Sequence, residues 1–349
     1  MVLPAPAVER ELEEDATAPL LSVTIVTYNS EQYILRCLEG VEAQTYRERE
    51  VIVVDNASLD STPSFLRPFS GRYRIITNEE NRGFAAAQNQ AIRRSRGQLV
   101  LTLNPDVFLP PTFLEELVRA ANELPWVGMF AGKLLRADDR LEPLRPAVLD
   151  STGIYFTPTL RHLDRGSGEP DRGQYEQREY VFGPTAAAAL YRRELIEDVS
   201  VGGECFDEDF FAYREDADLA WRAQLLGWPC AYVPRAVGYH VRRVLPERRA
   251  QLPPELNLHS VKNRFLMRIK NMTPLLYAKV FLPATWRDLQ VAGYVLLRER
   301  SSLPALVYVA RNLARFRAKR RAIQAKRRVR EDYLMKWFVR PPAAFPIEP

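Results

Sequence analysis

The chain has 349 residues, of which 46% are hydrophobic and 27% are charged, a composition that supports a large buried core and speaks against disorder. Its three cysteines, an odd number at wide spacing, argue against a disulfide framework and against a cysteine-based zinc site. Residues 1–240 carry 25 basic and 37 acidic side chains, whereas residues 241–349 carry 24 and 7. The two parts are therefore predicted to have different partners. The densest basic segment, Arg311–Arg330, suits an anionic surface such as phospholipid head groups or nucleic acid.

The N-terminal residues 1–19 are rich in proline, alanine and glutamate, and they lack the basic start and apolar stretch of a signal peptide. We interpret them as a flexible tail. A cytoplasmic location is the expectation that follows.

The first half of the chain alternates short β-type runs with helical patterns, which predicts an α/β fold with a mostly parallel, Rossmann-like sheet and helices on both faces. The predicted strands are Ser22–Thr27, Glu50–Asp55, Arg74–Thr77, Gln98–Leu103 and Val127–Lys133. The predicted helices are Glu31–Ala43, Ser61–Phe69, Phe84–Arg94 and Pro111–Leu124. Right-handed crossovers bring the carboxyl ends of the strands to one edge of the sheet, where such folds bind ligands.

The middle of the chain is less regular. Leu134–Tyr180 has little periodicity, and we expect short strands and mobile loops there. The small residues of Thr185–Leu190 indicate either a close approach of the chain to another group or plain tight packing. A helix is predicted for Asp216–Leu226, ending at Gly227, and one more strand for Pro229–Val233.

The C-terminal part differs in character. Residues 275–297 are apolar on balance, but Lys279, Pro283, Arg287 and Asp288 interrupt them, so a membrane-spanning helix does not fit. An interfacial amphipathic helix does fit.

Polar residues follow the first two predicted strands. Backbone amides, hydroxyls and one carboxylate at two adjacent strand ends can hold a nucleoside, with the carboxylate accepting from a base N–H or a ribose hydroxyl. The residues concerned are Thr27, Tyr28, Asn29, Asp55 and Asn56, with Ser30 as a candidate helix N-cap. The same residues also fit turns and helix caps alone, and both interpretations remain open.

A glycine stands at the start of the third predicted helix. Gly83 lies between Asn81 and Phe84, with Asn89 one to two turns further on. Glycine permits close approach of a phosphate to a helix N-terminus. The spacing matches neither a P-loop nor a dinucleotide fingerprint, so ATP and NAD are not the obvious ligands.

The strand Gln98–Leu103 ends in Asn104 and Asp106, two oxygen-bearing side chains two residues apart. Oxygen ligands at a strand end suit a hard divalent cation on a phosphate, although Asn-Pro-Asp is also good turn chemistry. His240 follows the last predicted strand, where it is either structural or a nitrogen ligand to the same metal.

A second acidic cluster opens the helix at residue 216. Acids at a helix start are ordinary partners of the helix dipole. Asp216 could alternatively face a pocket as a general base beside Glu215, with Asp218 held by Arg222 four residues later.

Taken together and in this order, these motifs resemble the inverting glycosyltransferases of family 2, which have the GT-A nucleotide-diphospho-sugar transferase fold, and within them the bacterial rhamnosyltransferase-like branch. The resemblance covers about Leu20 to His240. It is carried by Val23–Asn29, Val53–Asp60, Asn81–Phe84, Leu103–Asp106 and Phe206–Arg222.

The resemblance implies roles for individual residues. Asp106 is implied as a ligand of Mg²⁺ or Mn²⁺, with Asn104 in place of the first aspartate of the family's Asp-x-Asp motif. Asp216 is implied as the base, and His240 matches a metal ligand of some relatives. The implied substrates are a dTDP- or UDP-linked sugar, such as rhamnose, and a lipid-linked or cell-surface glycan.

The predicted division is a tail of residues 1–19, a GT-A catalytic domain of residues 20–250 and an amphipathic helical region of residues 251–349. This last region would hold the protein on the inner face of the cytoplasmic membrane. A sugar-phosphate nucleotidyltransferase is one alternative, but it would be expected to have a Gly-rich basic loop after the first strand. A non-catalytic polyanion-binding protein is the other, but the acidic first 240 residues would repel nucleic acid.

Overall fold

The computed structural model describes residues 19–242, 254–339 and 343–347. The predicted tail, except for residue 19, and the predicted boundary at residue 250 lie outside these ranges.

Within the described residues, eleven strands form one mixed sheet and two more form a small hairpin. The strands are β1 Leu21–Thr27, β2 Arg49–Asp55, β3 Arg74–Thr77, β4 Leu99–Leu103, β5 Val107–Phe108, β6 Met129–Arg136, β7 Leu149–Ser151, β8 Ile154–Phe156, β9 His162–Asp164, β10 Glu179–Val181, β11 Ala188–Arg192, β12 Cys230–His240 and β13 Phe345–Pro346. The order in the sheet is β13-β10-β12-β6-β11-β4-β1-β2-β3, with β5 on β12 and β7 on β6. The β4-β1-β2-β3 block is parallel throughout, and β11 joins it antiparallel to β4.

Helices cover both faces of this sheet. They are α1 Ile34–Glu42, α2 Thr62–Leu66, α3 Gly83–Arg94, α4 Phe113–Glu123, α5 Arg193–Val199, α6 Glu215–Leu226, α7 Pro254–Asn271, α8 Pro274–Leu297, α9 Leu303–Arg311, α10 Leu313–Ala325 and α11 Glu331–Val339. Strand β1 is buried along its whole length because its residues point alternately into two cores. Val23 and Ile25 pack with α1 and α4, whereas Val26 packs against α3.

The predicted strands and helices of the first half are confirmed to within a few residues, with two informative differences. Helix α1 begins at Ile34, and Ser30 is not its side-chain N-cap because the Ser30 hydroxyl donates to the Tyr28 carbonyl. Strand β12 continues to His240 instead of ending at Val233, because a register shift between Val233 and Val237 carries the strand past Pro234. The middle segment forms short strands as expected.

The C-terminal helices share the main hydrophobic core with the sheet domain. Phe338 of α11 lies 4.7 Å, ring to ring, from Trp221 of α6 and 5.0 Å from Phe156 of β8. Phe316 and Ile323 of α10 belong to the same cluster. The described C-terminal helices and the sheet domain therefore share one hydrophobic core.

The basic segment Arg311–Arg330 lies largely against the rest of the chain. Seven of its ten basic side chains make hydrogen bonds or ion pairs within the described residues: Arg315, Lys319, Arg320, Lys326, Arg327, Arg328 and Arg330. Their partners include Asp198, Glu204, Asp207 and Asp209 of the acidic part. The sequence predicted different partners for the acidic and basic parts of the chain. Along this interface, the two parts instead form ion pairs with each other.

Helix α8 has an exposed apolar surface, and its helical state confirms that element of the sequence prediction. The exposed apolar side chains are Leu275, Tyr277, Phe281, Leu282, Trp286, Leu289, Tyr294, Leu296 and Leu297. Across the described ranges, no helix combines the length and apolarity needed to cross a membrane. The three cysteines are buried and unpaired.

Candidate active site

The carboxyl ends of β1 and β2 form the first wall of the site. Thr27 and Asp55 are register partners, and the Asn56 amide donates to the Thr27 carbonyl at 2.8 Å. Thr27 Oγ1 and Asp55 Oδ2 are buried and have no hydrogen-bond partner among the described residues. Tyr28 is exposed beside them, and Asn29, with φ of 49°, accepts from the Leu59 amide. Two unsatisfied oxygens at this edge are groups that a ligand can use.

Asn56 ties this wall to the start of α3. Its Nδ2 donates to Asn81 Oδ1 at 2.8 Å, and Asn81 Oδ1 also accepts from the Gly83 amide at 2.9 Å. Gly83 has φ of +79°, and a Cβ there would lie 2.5 Å from the Phe211 ring and 2.7 Å from the Phe211 carbonyl oxygen. Only glycine fits this position, because the backbone of another segment passes directly against it.

Phe84 and Asn89 on α3 contact the segment that precedes α6, and Phe84 also packs against Val26 and Val54 near the ends of β1 and β2. Phe84 packs edge-on against Phe206 at 6.0 Å. The Asn89 side chain accepts from the Phe206 amide at 2.9 Å and donates to its carbonyl at 2.7 Å. The carbonyl oxygen and the NH2 group of the Asn89 side chain thus both bond this backbone, which fixes the segment to α3.

Asp106 and His240 lie together because β5 pairs with the end of β12. Val107 is the register partner of His240, and the Val241 amide donates to the Asp106 carbonyl at 3.1 Å. His240 Nε2 lies 3.6 Å from Asp106 Oδ1, and this buried oxygen has no hydrogen-bond partner among the described residues. Asn104 lies two residues before Asp106, at the end of β4.

Asp150 and Arg242, which the sequence reasoning missed, support this pair. His240 Nδ1 and Asp150 Oδ2 are 2.6 Å apart. Burial would lower the pKa of His240, but the negative charges of Asp150 and Asp106 outweigh it and raise the pKa above the ordinary value. Arg242 Nε lies 3.1 Å from Asp150 Oδ1, and Arg242 also contacts Asp164. Burial raises the pKa of the Asp164 carboxyl to about 6 despite this contact.

Asp216 reaches the same edge through Ala186 and Ala187, the small residues that precede β11. The Asn104 amide donates to the Ala187 carbonyl at 2.9 Å, and the Ala186 amide donates to Asp216 Oδ2 at 3.3 Å. Ala187, Ala188 and Ala189 are also buried in the hydrophobic cores, so the alanine run combines tight packing with the backbone contacts to Asn104 and Asp216. Burial raises the pKa of Asp216, and amide donation from Ala217 and Ala186 opposes the rise.

The neighbouring Glu215 is buried, and its Oε2 has no hydrogen-bond partner among the described residues. Burial and the charge of Asp216 raise the pKa of Glu215 well above its ordinary value. Asp218, by contrast, is paired: its carboxylate lies 2.9 Å from Arg222 Nε and 2.9 Å from Lys270 Nζ on α7. This pair anchors α6 and holds no free group for a substrate.

A divalent cation fits the Asp106–His240 edge. Within the described residues, no three histidine, cysteine, aspartate or glutamate side chains are arranged to hold a metal by themselves. Mg²⁺ and related ions are commonly held by one or two protein ligands together with water and substrate phosphates. Asp106 Oδ1, which has no hydrogen-bond partner among the described residues, and His240 Nε2 form such a donor set. Asp150 orients the imidazole through its contact with Nδ1 on the other side of the ring.

Comparison with known proteins agrees with this architecture. The family model of glycosyl transferase family 2 matches residues 22–200. The chain is 27% identical over 254 residues to the N-acetylglucosaminyl-diphospho-decaprenol L-rhamnosyltransferase of Mycobacterium tuberculosis, a match covering 63% of this chain and 76% of that one. It is 40% identical over 96 residues to the glycosyltransferase AglE of Haloferax volcanii, covering 26% and 32%. It spans 31% of EpsH of Bacillus subtilis and 28% of y4gI of Sinorhizobium fredii, so those matches cover about a third of the relatives.

Solved structures share the fold. Residues 1–349 of TarS from S. aureus superpose with a TM-score of 0.53 at 18% identity, covering 87% of this chain and 89% of that one. GalNAc-T7, solved with UDP, GalNAc and Mn²⁺, superposes with a TM-score of 0.56 at 13% identity, covering 74% and 48%. With the family model matched over half of the sequence and this sheet order, the chain belongs to glycosyltransferase family 2 and has the GT-A fold.

Proposed function

We propose that this family 2 enzyme is a metal-dependent inverting glycosyltransferase that moves a sugar from a nucleoside-diphosphate donor to a hydroxyl of a lipid-linked or cell-surface glycan. The observation that carries the proposal is the short backbone link from Asp216 through Ala186 and Ala187 to Asn104. This link supports the assignment because it connects one carboxylate of α6 to Asn104, two residues before Asp106. The candidate base, Asp216, therefore lies near the candidate metal ligands Asp106 and His240.

The donor nucleoside is assigned to the carboxyl ends of β1 and β2. Thr27 Oγ1 and Asp55 Oδ2 are the unsatisfied oxygens there, and Asn56, Asn81 and Gly83 shape the loop around them. We assign the diphosphate to the Asn104–Asp106 edge, with Mg²⁺ or Mn²⁺ held by Asp106 and His240. When bound, the cation neutralises the charge that develops on the leaving diphosphate.

Asp216 is assigned as the general base. It accepts the proton of the acceptor hydroxyl while that oxygen bonds to the anomeric carbon and the bond from this carbon to the diphosphate breaks. Attack from the face opposite the leaving group inverts the configuration. The amides of Ala186 and Ala217 orient the carboxylate, and the raised pKa of Asp216 makes it a stronger base.

The finer substrate assignment rests on the relatives. The mycobacterial relative is named as a rhamnosyltransferase acting on a polyprenol-linked glycan, which supports a dTDP- or UDP-linked deoxyhexose and a lipid-linked acceptor. A lipid acceptor fits a protein that lies on the inner face of the cytoplasmic membrane. The exposed apolar face of α8, flanked by the exposed Lys279, Arg298 and Arg300, is the surface we assign to that contact.

The test is release of nucleoside diphosphate from UDP-, dTDP- and GDP-sugars with Mg²⁺ or Mn²⁺, using N-acetylglucosaminyl-diphospho-polyprenol as acceptor. Asp216→Asn should keep donor binding and lose turnover by a factor of about 100 or more, the usual scale for a lost general base. Asp332→Asn is the matched control, an exposed first-turn aspartate on α11. Full turnover by Asp216→Asn together with an inactive Glu215→Gln would move the base by one residue.

A further inference from the structure

The segment between the short 3-10 helix Glu208–Phe210 and α6 has an unusual backbone. Phe211, Tyr213 and Arg214 all have positive φ, at 64°, 70° and 72°, and none of them is glycine. Phe211 is the centre of a γ-turn with ψ of −66°, closed by the Ala212 amide donating to the Phe210 carbonyl at 2.8 Å. Such conformations are strained for residues with a side chain and persist only where surrounding contacts enforce them.

One side chain supplies much of that enforcement. Asn263 of α7 is fully buried, and the two hydrogens of its Nδ2 are shared among the carbonyls of Phe210, Ala212 and Tyr213, which lie at 2.9, 2.8 and 2.8 Å. Its Oδ1 accepts no hydrogen bond among the described residues, so the side chain acts purely as a donor. A second contact from α7 is the Ser260 carbonyl, which accepts from Arg214 Nε at 3.3 Å.

The strained segment touches both parts of the active site. Its Phe211 carbonyl accepts from the Ala85 amide at 3.2 Å, at the start of α3, and the Phe211 ring lies against Gly83. At its other end, Arg214 is the residue from which α6 begins, so its conformation sets the position of Asp216. The path from Asn263 to Asp216 runs through backbone alone.

We propose that Asn263 is a positioning residue of the transfer reaction, which holds the carbonyls of Phe210, Ala212 and Tyr213 so that α6 presents Asp216 at the Asn104–Asp106 edge. This inference rests on the proposed role of Asp216 as base. It gives the C-terminal helices a part in catalysis, because the group that holds the catalytic segment is supplied by α7.

The experiment compares Asn263→Ala and Asn263→Asp in the full-length chain, using the best donor of the UDP-, dTDP- and GDP-sugar panel. Asp is nearly isosteric but, when ionised, offers no donor and sets a negative charge against three carbonyl oxygens. Turnover should fall at least tenfold in the Ala variant and further in the Asp variant. The donor KM should change less than kcat, because Asp216 lies at the start of the helix that follows the segment, whereas the hydrogen bonds among Asn56, Asn81 and Gly83 lie outside the segment and meet it at Phe211.

Thr273→Ala is the control for general destabilisation. Thr273 is buried, caps α8 by accepting from the Leu276 amide and bonds Glu331, all within the C-terminal helices. It should lower the melting temperature and leave kcat within twofold of the parent.

Wild-type turnover in Asn263→Asp, or equal loss of kcat in Asn263→Ala and Thr273→Ala at equal loss of melting temperature, overturns the positioning role. Asp216→Asn is assayed in parallel. If it turns over normally, the base assignment fails and the inference falls with it. If it is inactive while Asn263→Asp is normal, only the inference fails.

Discussion

Lys270 offers a direct test of how the C-terminal helices are joined to the catalytic part. Its ammonium group is buried between two carboxylates, contacting Asp207 and lying 2.9 Å from Asp218. Lys270→Met keeps the length of the side chain and removes the charge. Breaking a buried pair by removing one partner costs about 3–5 kcal/mol. Each carboxylate retains another cation, Lys319 at 2.7 Å and Arg222 at 2.9 Å, so we expect the lower end, ~3 kcal/mol.

The assay is thermal unfolding of the full-length chain. With an unfolding entropy of ~2 cal/mol/K per residue, ~3 kcal/mol lowers the melting temperature of a chain of this length by roughly 4 °C. Lys279→Met on the exposed side of α8 is the control and should shift it by less than about 1 °C. Equal melting temperatures for the two variants would refute the reasoning.

The same pair predicts a pH dependence. Burial alone would raise the pKa of Asp207, but Lys270 and Lys319 outweigh it and hold the pKa well below the usual range. A carboxyl whose pKa is depressed on folding stabilises the fold above its unfolded pKa of about 3.9 and loses that contribution as the pH falls toward the folded pKa. The difference in melting temperature between wild type and Lys270→Met should therefore be full at pH 6–8 and shrink below about pH 4. A constant difference down to pH 3 would contradict this assignment.

Three further outcomes are expected. Gly83→Ala should lower donor kcat/KM at least tenfold, or ~1.4 kcal/mol, because the new Cβ would overlap the Phe211 carbonyl; normal kinetics would show that this contact relaxes freely. Asp106→Ala should abolish metal-stimulated turnover whereas Asn104→Asp stays active, since it only adds charge to an oxygen ligand; full activity of the alanine variant in chelator would remove the metal assignment. Trp286→Ser should weaken binding to phosphatidylglycerol vesicles roughly tenfold through lost apolar burial of ~1.5 kcal/mol, with the exposed Trp126→Ser unchanged; equal binding by all three proteins would place the membrane contact elsewhere.

The parts of the fold that sequence predicted are those with a local signal. The parallel strands are continuous apolar runs that end in polar turns, and Gly227 ends α6 in the left-handed conformation, with φ of 87°. Thr27 and Asp55 could be placed at one edge because strand ends of a parallel sheet meet there. These inferences need only the neighbours of each residue in the chain.

Other parts of the site depend on contacts between distant segments. Asp106 meets His240 only because β5, two residues long, pairs with β12, and no periodicity marks so short a strand. Asp150 bonds His240 across 90 residues, from a segment without regular pattern. Asn263 reads in the sequence as one polar residue of a basic amphipathic helix. A buried amide that donates to three carbonyls has no local signature, because its partners are backbone groups of another segment.

The charge asymmetry between the two parts of the chain was counted correctly, but the count does not show which basic side chains face solvent. The excess of basic residues after residue 240 is real, yet Lys319 lies among Glu204, Asp207 and Asp209 and is half-buried there. A net charge cannot distinguish a side chain that faces solvent from one that neutralises a neighbour, since both count equally. Because much of α10 is held in this way, the proposed membrane contact is assigned to α8, where apolar side chains and exposed basic residues lie together.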